Sequence, residues 1–230
     1  MVLAQMEAAA LAGREYPRHV MLWTVAGTLS IYGMDRLTER RNLTFTAMRH
    51  RVQHRSGILV AALIATCAVA ALTQTGPREL LWLAALGFSG VAYLALTVNA
   101  LRGWPLLKEV LGAWCFTCLV WGMLADRIDS AVMGVFLLGL SNFCWSSRQD
   151  RVRDQKNGIA SFAVRAPGAN LVLARLGALL AAVLFQFSSG WIQPFFWTAL
   201  LHAAWPARED YPIDLAFLPL VANLIRLFPG

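Results

Sequence analysis

The stretch Ser147–Ala163, SRQDRVRDQKNGIASFA, follows directly on an apolar run, Ala131–Trp145, and carries two carboxylates four residues apart, Asp150 and Asp154. If the helix of the apolar run continues one or two turns past its last hydrophobic residue, that spacing puts both side chains on one face. They then stand at the mouth of a helical bundle, among Arg148, Arg151, Arg153 and Lys156. Two converging acids suit a hard divalent cation, and Mg²⁺ is usually held by a few carboxylates together with substrate phosphates.

The rest of the chain reads as the vessel around that mouth. Of 230 residues, 58% are hydrophobic and 14% charged, with nine Trp and twelve Phe, and the mean hydropathy is +0.54. A soluble domain of this size carries about a quarter charged residues, so the composition predicts a polytopic membrane protein. The formal net charge of +7 does not point to nucleic acid. The arginines cluster in loops between apolar runs, as the positive-inside rule expects. Cys67, Cys115, Cys118 and Cys144 all fall inside apolar runs, where free cysteine behaves as a small hydrophobe. The Cys115-x-x-Cys118 pair lies mid-helix, away from a helix N-terminus that would activate a thiol, and reads as core packing. Residues 1–16 have no basic region before their apolar stretch, which contains Glu7. They do not resemble a secretory signal.

Residues 1–16 are also too short to cross about 30 Å of hydrocarbon, which needs ~20 residues. They are expected to form a short interfacial or re-entrant segment, with residues 17–230 as one transmembrane domain. Apolar spans are expected at Val20–Met34, Ile58–Thr73, Leu80–Val98, Leu106–Ala125, Ala131–Trp145, Leu171–Phe187, Ile192–Trp205 and Ile213–Phe228. That is about eight crossings, or nine elements if the N-terminal segment joins the bundle. Loops 36–57 and 147–170 hold six and five basic residues, against one each, Arg78 and Arg127, in loops 74–79 and 126–130. Alternation then places 36–57, 99–105, 147–170 and 206–212 in the cytoplasm. The expected location is the cell (inner) membrane, multi-pass, with the site loops cytoplasmic.

The acids sharpen this picture. Asp35 and Glu39 follow the first span as Asp150 and Asp154 follow the fifth, each pair at i, i+4. Two such pairs about half the chain apart suggest an internal duplication around a shared site. Asn142, inside the fifth span, is expected to face the cavity because a polar side chain is unfavourable against lipid. Lys108 near a helix start opposes the macrodipole and calls for an anionic partner, or else for snorkelling to headgroups.

These residues carry a family resemblance. Asp150-x-x-x-Asp154 followed by Lys156-Asn157-Gly158-Ile159-Ala160-Ser161 resembles the second aspartate-rich motif of the UbiA superfamily of intramembrane prenyltransferases. Trp104-Pro105-Leu106-Leu107-Lys108, preceded by Arg102, is similar to the family's Y-P-x-x-K entry to a mid-chain helix. Tyr32-Gly33-Met34-Asp35-Arg36-Leu37-Thr38-Glu39 resembles the first aspartate-rich motif in degenerate form, since Ile31 and Tyr32 stand where Asn and Asp belong and Glu39 replaces the last Asp. The resemblance spans most of residues 20–228 and looks like a divergent branch.

The resemblance implies an all-α, UbiA-like bundle whose central cavity opens to the cytoplasm and laterally to lipid. Its implied activity is Mg²⁺-dependent transfer of a prenyl group from a polyprenyl diphosphate to a lipophilic acceptor in the bilayer. On that resemblance Asp150 and Asp154 hold metal and diphosphate, and Asp35 and Glu39 match what survives of a second metal site. Arg102 and Lys108 match the basic side of the diphosphate site, Lys156 is a further candidate, and Tyr32 and Asn142 complete the substrate-binding set. Ionising an allylic diphosphate loads negative charge on the leaving group, which Mg²⁺ and Lys or Arg stabilise most in the transition state. The allyl cation then needs a water-poor cavity, for which Trp114, Trp121, Trp145, Trp191 and Trp197 are available.

Other readings stand beside it. Asp35 and Glu39 pair equally well with Arg36, Arg40 or Arg41 at a solvated helix end, and Asp150 and Asp154 can also form a solvated face. His50 and His54 have no third ligand nearby. A non-catalytic relative that binds lipid or a partner, a terpene cyclase of the same superfamily, and a small transporter are the functional alternatives. The last is disfavoured because Arg175 alone is expected deep in a span, and transport relays usually need several ionisable groups.

Overall fold

The computed structural model describes residues 2–11, 16, 17, 19–26, 28, 61, 65, 68, 69, 72, 76–99, 106–122, 129–156, 161–189, 193–207 and 213–227. Among them every regular element is helical and no strand occurs. In chain order these are α1 (Val2–Leu11), a helical stretch over residues 19–26, α2 (Pro77–Asn99) and α3 (Leu107–Thr117). A π-helical turn, Cys118–Gly122, continues α3. Then come α4 (Ser130–Gln149), α5 (Arg151–Lys156), α6 (Phe162–Arg165), α7 (Pro167–Ser189), α8 (Pro194–Ala204) and a 3₁₀ segment, Ile213–Leu227.

Two of the described helices are long and apolar enough to cross a membrane, Ser130–Gln149 and Pro167–Ser188. At 1.5 Å per residue the first covers about 30 Å, one hydrocarbon thickness. Its start is fixed by Asp129, whose Oδ1 accepts the amides of Ala131 at 3.0 Å and Val132 at 3.2 Å, a cap worth about 1 kcal/mol. The expected span Leu106–Ala125 differs in form, being α-helical to Thr117 and π-helical from Cys118. The last span also differs. Ile213–Leu227 is wound as a 3₁₀ helix with Pro219 inside it, and the steeper rise of about 2 Å per residue still carries 15 residues roughly 30 Å.

Helix α7 sets the character of the packing. Asn170, Ala174, Ala178, Ala181 and Phe185 form its fully buried stripe, whereas Val172, Leu176, Leu180, Val183 and Phe187 lie exposed on the opposite side. Small residues face inward and large apolar ones outward, the reverse of a soluble amphipathic helix. The inner stripe lets α7 approach α4, its most extensive partner. At Gly177 an added Cβ would stand 3.3 Å from the carbonyl oxygen of Leu137. Gly139 does the same on the other side of α4, where a Cβ would meet Phe116 at 3.0 Å and the Ala113 Cα at 3.4 Å. Small residues at helix crossings are how bundles in lipid gain close van der Waals contact.

The core is two connected clusters. The larger brings Ala4, Ala8, Val20, Phe116, Trp121, Leu138 and Phe195 together, with Phe185 stacked on Phe195 at 5.0 Å between ring centres. The smaller groups Ala113, Leu140, Cys144, Trp145, Ala174 and Ile213. Helix α1 is buried in the bundle, packing on the π turn and the 3₁₀ segment. Its polar residues are satisfied across helices. Tyr16 Oη donates to Gln5 Oε1 at 2.5 Å and Thr24 Oγ1 donates to the same oxygen. Gln5 Nε2 donates to the Leu119 carbonyl in the π turn, and Asn223 Nδ2 donates to the Leu3 carbonyl at 3.1 Å. Cys115, Cys118 and Cys144 are free and buried.

Candidate functional site

Helix α4 does not stop cleanly where its apolar run ends. Asp150 caps it at φ −80°, ψ −5°, still in the right-handed helical region, and its amide bonds the Ser146 carbonyl at 3.0 Å. The Asp154 amide in turn bonds the Asp150 carbonyl at 2.8 Å, so helical hydrogen bonding runs on into α5. Ser147, Asp150 and Asp154 therefore share one face, at i, i+3 and i+7. Ser147 and Asp154 on that face are buried, each 4% exposed, and Asp150 is half-buried.

The first turn of α3 packs against this face. Glu109, fully buried, accepts a hydrogen bond from Ser147 Oγ at 2.6 Å through Oε1. Both Asp154 and Lys108 lie within electrostatic range of Glu109. An ionised carboxylate in a low-dielectric interior is strongly unfavourable without partners. The Ser147 hydroxyl answers one oxygen; Glu109 Oε2 has no hydrogen-bond partner. The result is a polar group of two buried carboxylates, one hydroxyl and one half-buried lysine at the end of an otherwise apolar bundle. As an acid in the first turn of α3, Glu109 also complements the helix dipole that Lys108 opposes.

The other expected residues are placed as follows. Lys108 is half-buried beside Glu109, and Lys156 is exposed at the end of α5. Asn142 lies deeper in α4, with Oδ1 3.4 Å from His202 Nε2. Tyr32, Asp35, Glu39 and Arg102 lie outside the described residues, as do His50 and His54. Arg148 points elsewhere: Nη1 reaches the Pro167 carbonyl at 3.4 Å and Nη2 the Ala207 carbonyl at 3.5 Å. It ties the end of α4 to the start of α7 and the segment after α8.

Three ionisable residues inside or between helices escape the sequence expectations. Glu109 and Glu7 are buried acids, and His202 is a fully buried histidine on α8. His202 Nδ1 donates to the Thr198 carbonyl at 2.9 Å, and its own carbonyl accepts Trp145 Nε1 at 3.0 Å. The expectation that Arg175 is the one ionisable group deep in a span is thus corrected. Arg175 itself is exposed, with Nη2 3.5 Å from the Trp205 carbonyl.

Among the described residues no group of three or more His, Cys, Asp or Glu is gathered for a metal. The donors present are a two-carboxylate set of hard oxygens, which fits a cation that completes its shell with phosphate oxygens and water. It does not fit a thiolate- or imidazole-bound metal. A separate groove of about 360 Å³ runs between α7 and α8, lined by apolar residues such as Leu179, Val183, Phe187 and Phe196 with Gln186, and contains none of the acids. Comparison with protein-family models, curated proteins and solved structures found no match for the chain.

Proposed function

We propose that the chain is a multi-pass membrane protein of UbiA-like architecture that binds a polyprenyl diphosphate with Mg²⁺ and transfers the prenyl group to a lipophilic acceptor. The single observation that carries this reading is the placement of buried Asp154 within electrostatic range of buried Glu109, which Lys108 also reaches, with Asp150 one turn earlier on the same helical face, at the end of a helix long enough to span a bilayer. The exposed apolar side of α7 and the polar residues hidden inside the bundle support its placement in lipid. About eight crossings, an inner-membrane location and a mouth open to the cytoplasm belong to the same proposal.

In this reading the chain's own groups divide the work. Asp150 and Asp154 hold the cation, which when bound supplies positive charge against the leaving diphosphate. Lys108 neutralises further phosphate charge, with Arg102 and Lys156 as additional cations. Ser147 holds the Glu109 carboxylate in place. Trp145, buried beside the mouth with its Nε1 already bonded, contributes an apolar wall that keeps water from the reacting carbon.

The test is product formation. Purified protein incubated with labelled geranylgeranyl diphosphate and a total membrane lipid extract is expected to yield a labelled lipid with Mg²⁺ and none with EDTA or in Asp150→Asn. Label found in a hydrocarbon or alcohol without any acceptor would make the chain a cyclase. No product in any arm, with the diphosphate still bound, would leave the non-catalytic lipid-binding alternative.

A further inference from the structure

We infer that Glu109 is a cation ligand, forming with Asp154 a two-carboxylate site that bridges α3 and α5. The inference rests on the diphosphate reading above, but adds a residue that lies outside all three motifs carrying the resemblance.

Glu109 is fully buried, and its two oxygens are treated differently. Oε1 is fixed by Ser147 Oγ at 2.6 Å, whereas Oε2 has no hydrogen-bond partner. Ser147 is on the face of α4 and α5 that bears Asp150 and Asp154, so this bond holds the Glu109 carboxylate over the acidic face. Asp154 is close enough for its charge to act on Glu109. Burial disfavours the ionised form of an acid, and a cation at that end of the bundle would offset it. A hydroxyl bond of this kind is how a ligating carboxylate is usually oriented from outside the coordination shell.

The donor set also names the kind of cation. Two carboxylate oxygens from different helices, with Asp150 one turn before Asp154 on the same face and no group of three or more such donors gathered among the described residues, leave most coordination positions open. Mg²⁺ and Mn²⁺ take such partial shells and fill them with phosphate oxygens and water. The open positions are where a diphosphate would sit, and Lys108 flanks them on α3.

The test is a Mn²⁺ titration of the full chain in detergent, reading free Mn²⁺ by EPR in the presence of geranylgeranyl diphosphate. Glu109→Gln is expected to raise the Mn²⁺ needed for half-saturation by roughly tenfold or more, as loss of a ligand or its support does. Ser147→Ala, a smaller change that serves if Glu109→Gln does not purify folded, is expected to raise it several-fold. If Asp154→Asn loses Mn²⁺ while both of these variants keep the wild-type requirement, Glu109 is only a structural partner of Ser147. The diphosphate reading then survives without it. If the wild-type chain takes up no Mn²⁺ with the diphosphate present, both readings fail together.

Discussion

Ser147 Oγ donates to Glu109 Oε1 across 2.6 Å, joining the last turn of α4 to the first turn of α3. Neither residue is exposed to solvent by more than a few per cent. The bond gives a buried acid one partner and ties it to the helical face that carries Asp154, so a single hydroxyl both steadies the crossing and links Glu109 to the polar mouth. A hydrogen bond of this kind contributes about 0.5–1.5 kcal/mol net, and more where its loss strands a buried acceptor.

That bond predicts a double-mutant pattern. Ser147→Ala is expected to destabilise the fold by about 1–3 kcal/mol, because Oε1 of Glu109 loses its donor while remaining buried. Ser147→Ala combined with Glu109→Leu is expected to be less harmful than the sum of the two single changes. Thermal unfolding in detergent, read for all three variants, gives the coupling. Additive effects would mean that the bond contributes nothing.

The shared face of Asp150 and Asp154 predicts that either Asn variant loses prenyl transfer while keeping its helical content. Both side chains lie at the end of α4 and in α5, away from the two core clusters. Circular dichroism paired with a turnover assay separates the two effects. An Asp154→Asn chain with wild-type turnover would contradict its place in the site.

Two glycines, one at the crossing of α3 and α4 and one on the open side of α2, are expected to respond oppositely to substitution. Gly139→Ala would push a methyl to 3.0 Å from the Phe116 ring, with the Ala113 backbone close behind it at 3.4 Å. Overpacking of that kind costs about 1–3 kcal/mol. Gly87, mid-α2, has nothing within 4 Å of an added Cβ, so Gly87→Ala is expected to stabilise by up to about 1 kcal/mol through helix propensity. Paired melting curves of the two variants check both signs.

The outward face of α7 predicts sensitivity to charge. Val183, 49% exposed, faces lipid in this account, and Val183→Lys at mid-helix would then cost about 2.5–3.5 kcal/mol of insertion free energy. Membrane fractionation of the variant is the measurement. On a water-facing surface the same change would be harmless, and full insertion of the lysine variant would argue against lipid contact.

Tyr16 gives a pH prediction. Burial pushes its phenol well above the ordinary tyrosine range, and the nearby Thr24 hydroxyl only partly opposes this. The folded state therefore keeps the proton after the unfolded chain has released it. Stability is fully present below about pH 10, the unfolded tyrosine value, and falls as pH rises above it. Denaturation midpoints at pH 9 and pH 11 are expected to differ in the wild-type chain, and by less in Tyr16→Phe.

What was legible in the sequence was set by local period and length. The run through Ala131–Trp145 and the i, i+4 spacing of Asp150 and Asp154 specify a long helix with two acids on one face, because both depend on chain neighbours alone. Glu109 was not legible as part of the site. An acid in a first helical turn is explained by the helix dipole, and only the packing of α3 on α4 brings it to Ser147 and Asp154. Burial of α1 was hidden for a similar reason: ten Ala-rich residues cannot span a bilayer, and the amide contacts of Gln5 and Asn223 that seat them come from residues over a hundred positions away. The π turn after α3 and the 3₁₀ winding of Ile213–Leu227 leave no mark on apolar periodicity. His202 sits between Leu201 and Ala203 in an apolar run, and its partners Asn142 and Trp145 are on another helix.

The central claim, a cation-dependent diphosphate site at the junction of α3, α4 and α5, is tested most directly by binding. Purified wild-type protein and an Asp150→Asn/Asp154→Asn double variant are each titrated with geranylgeranyl diphosphate, with Mg²⁺ and with EDTA. The account predicts saturable binding in the wild-type chain with Mg²⁺ only, and none in the double variant. Equal binding with EDTA, or binding retained by the double variant, would contradict it.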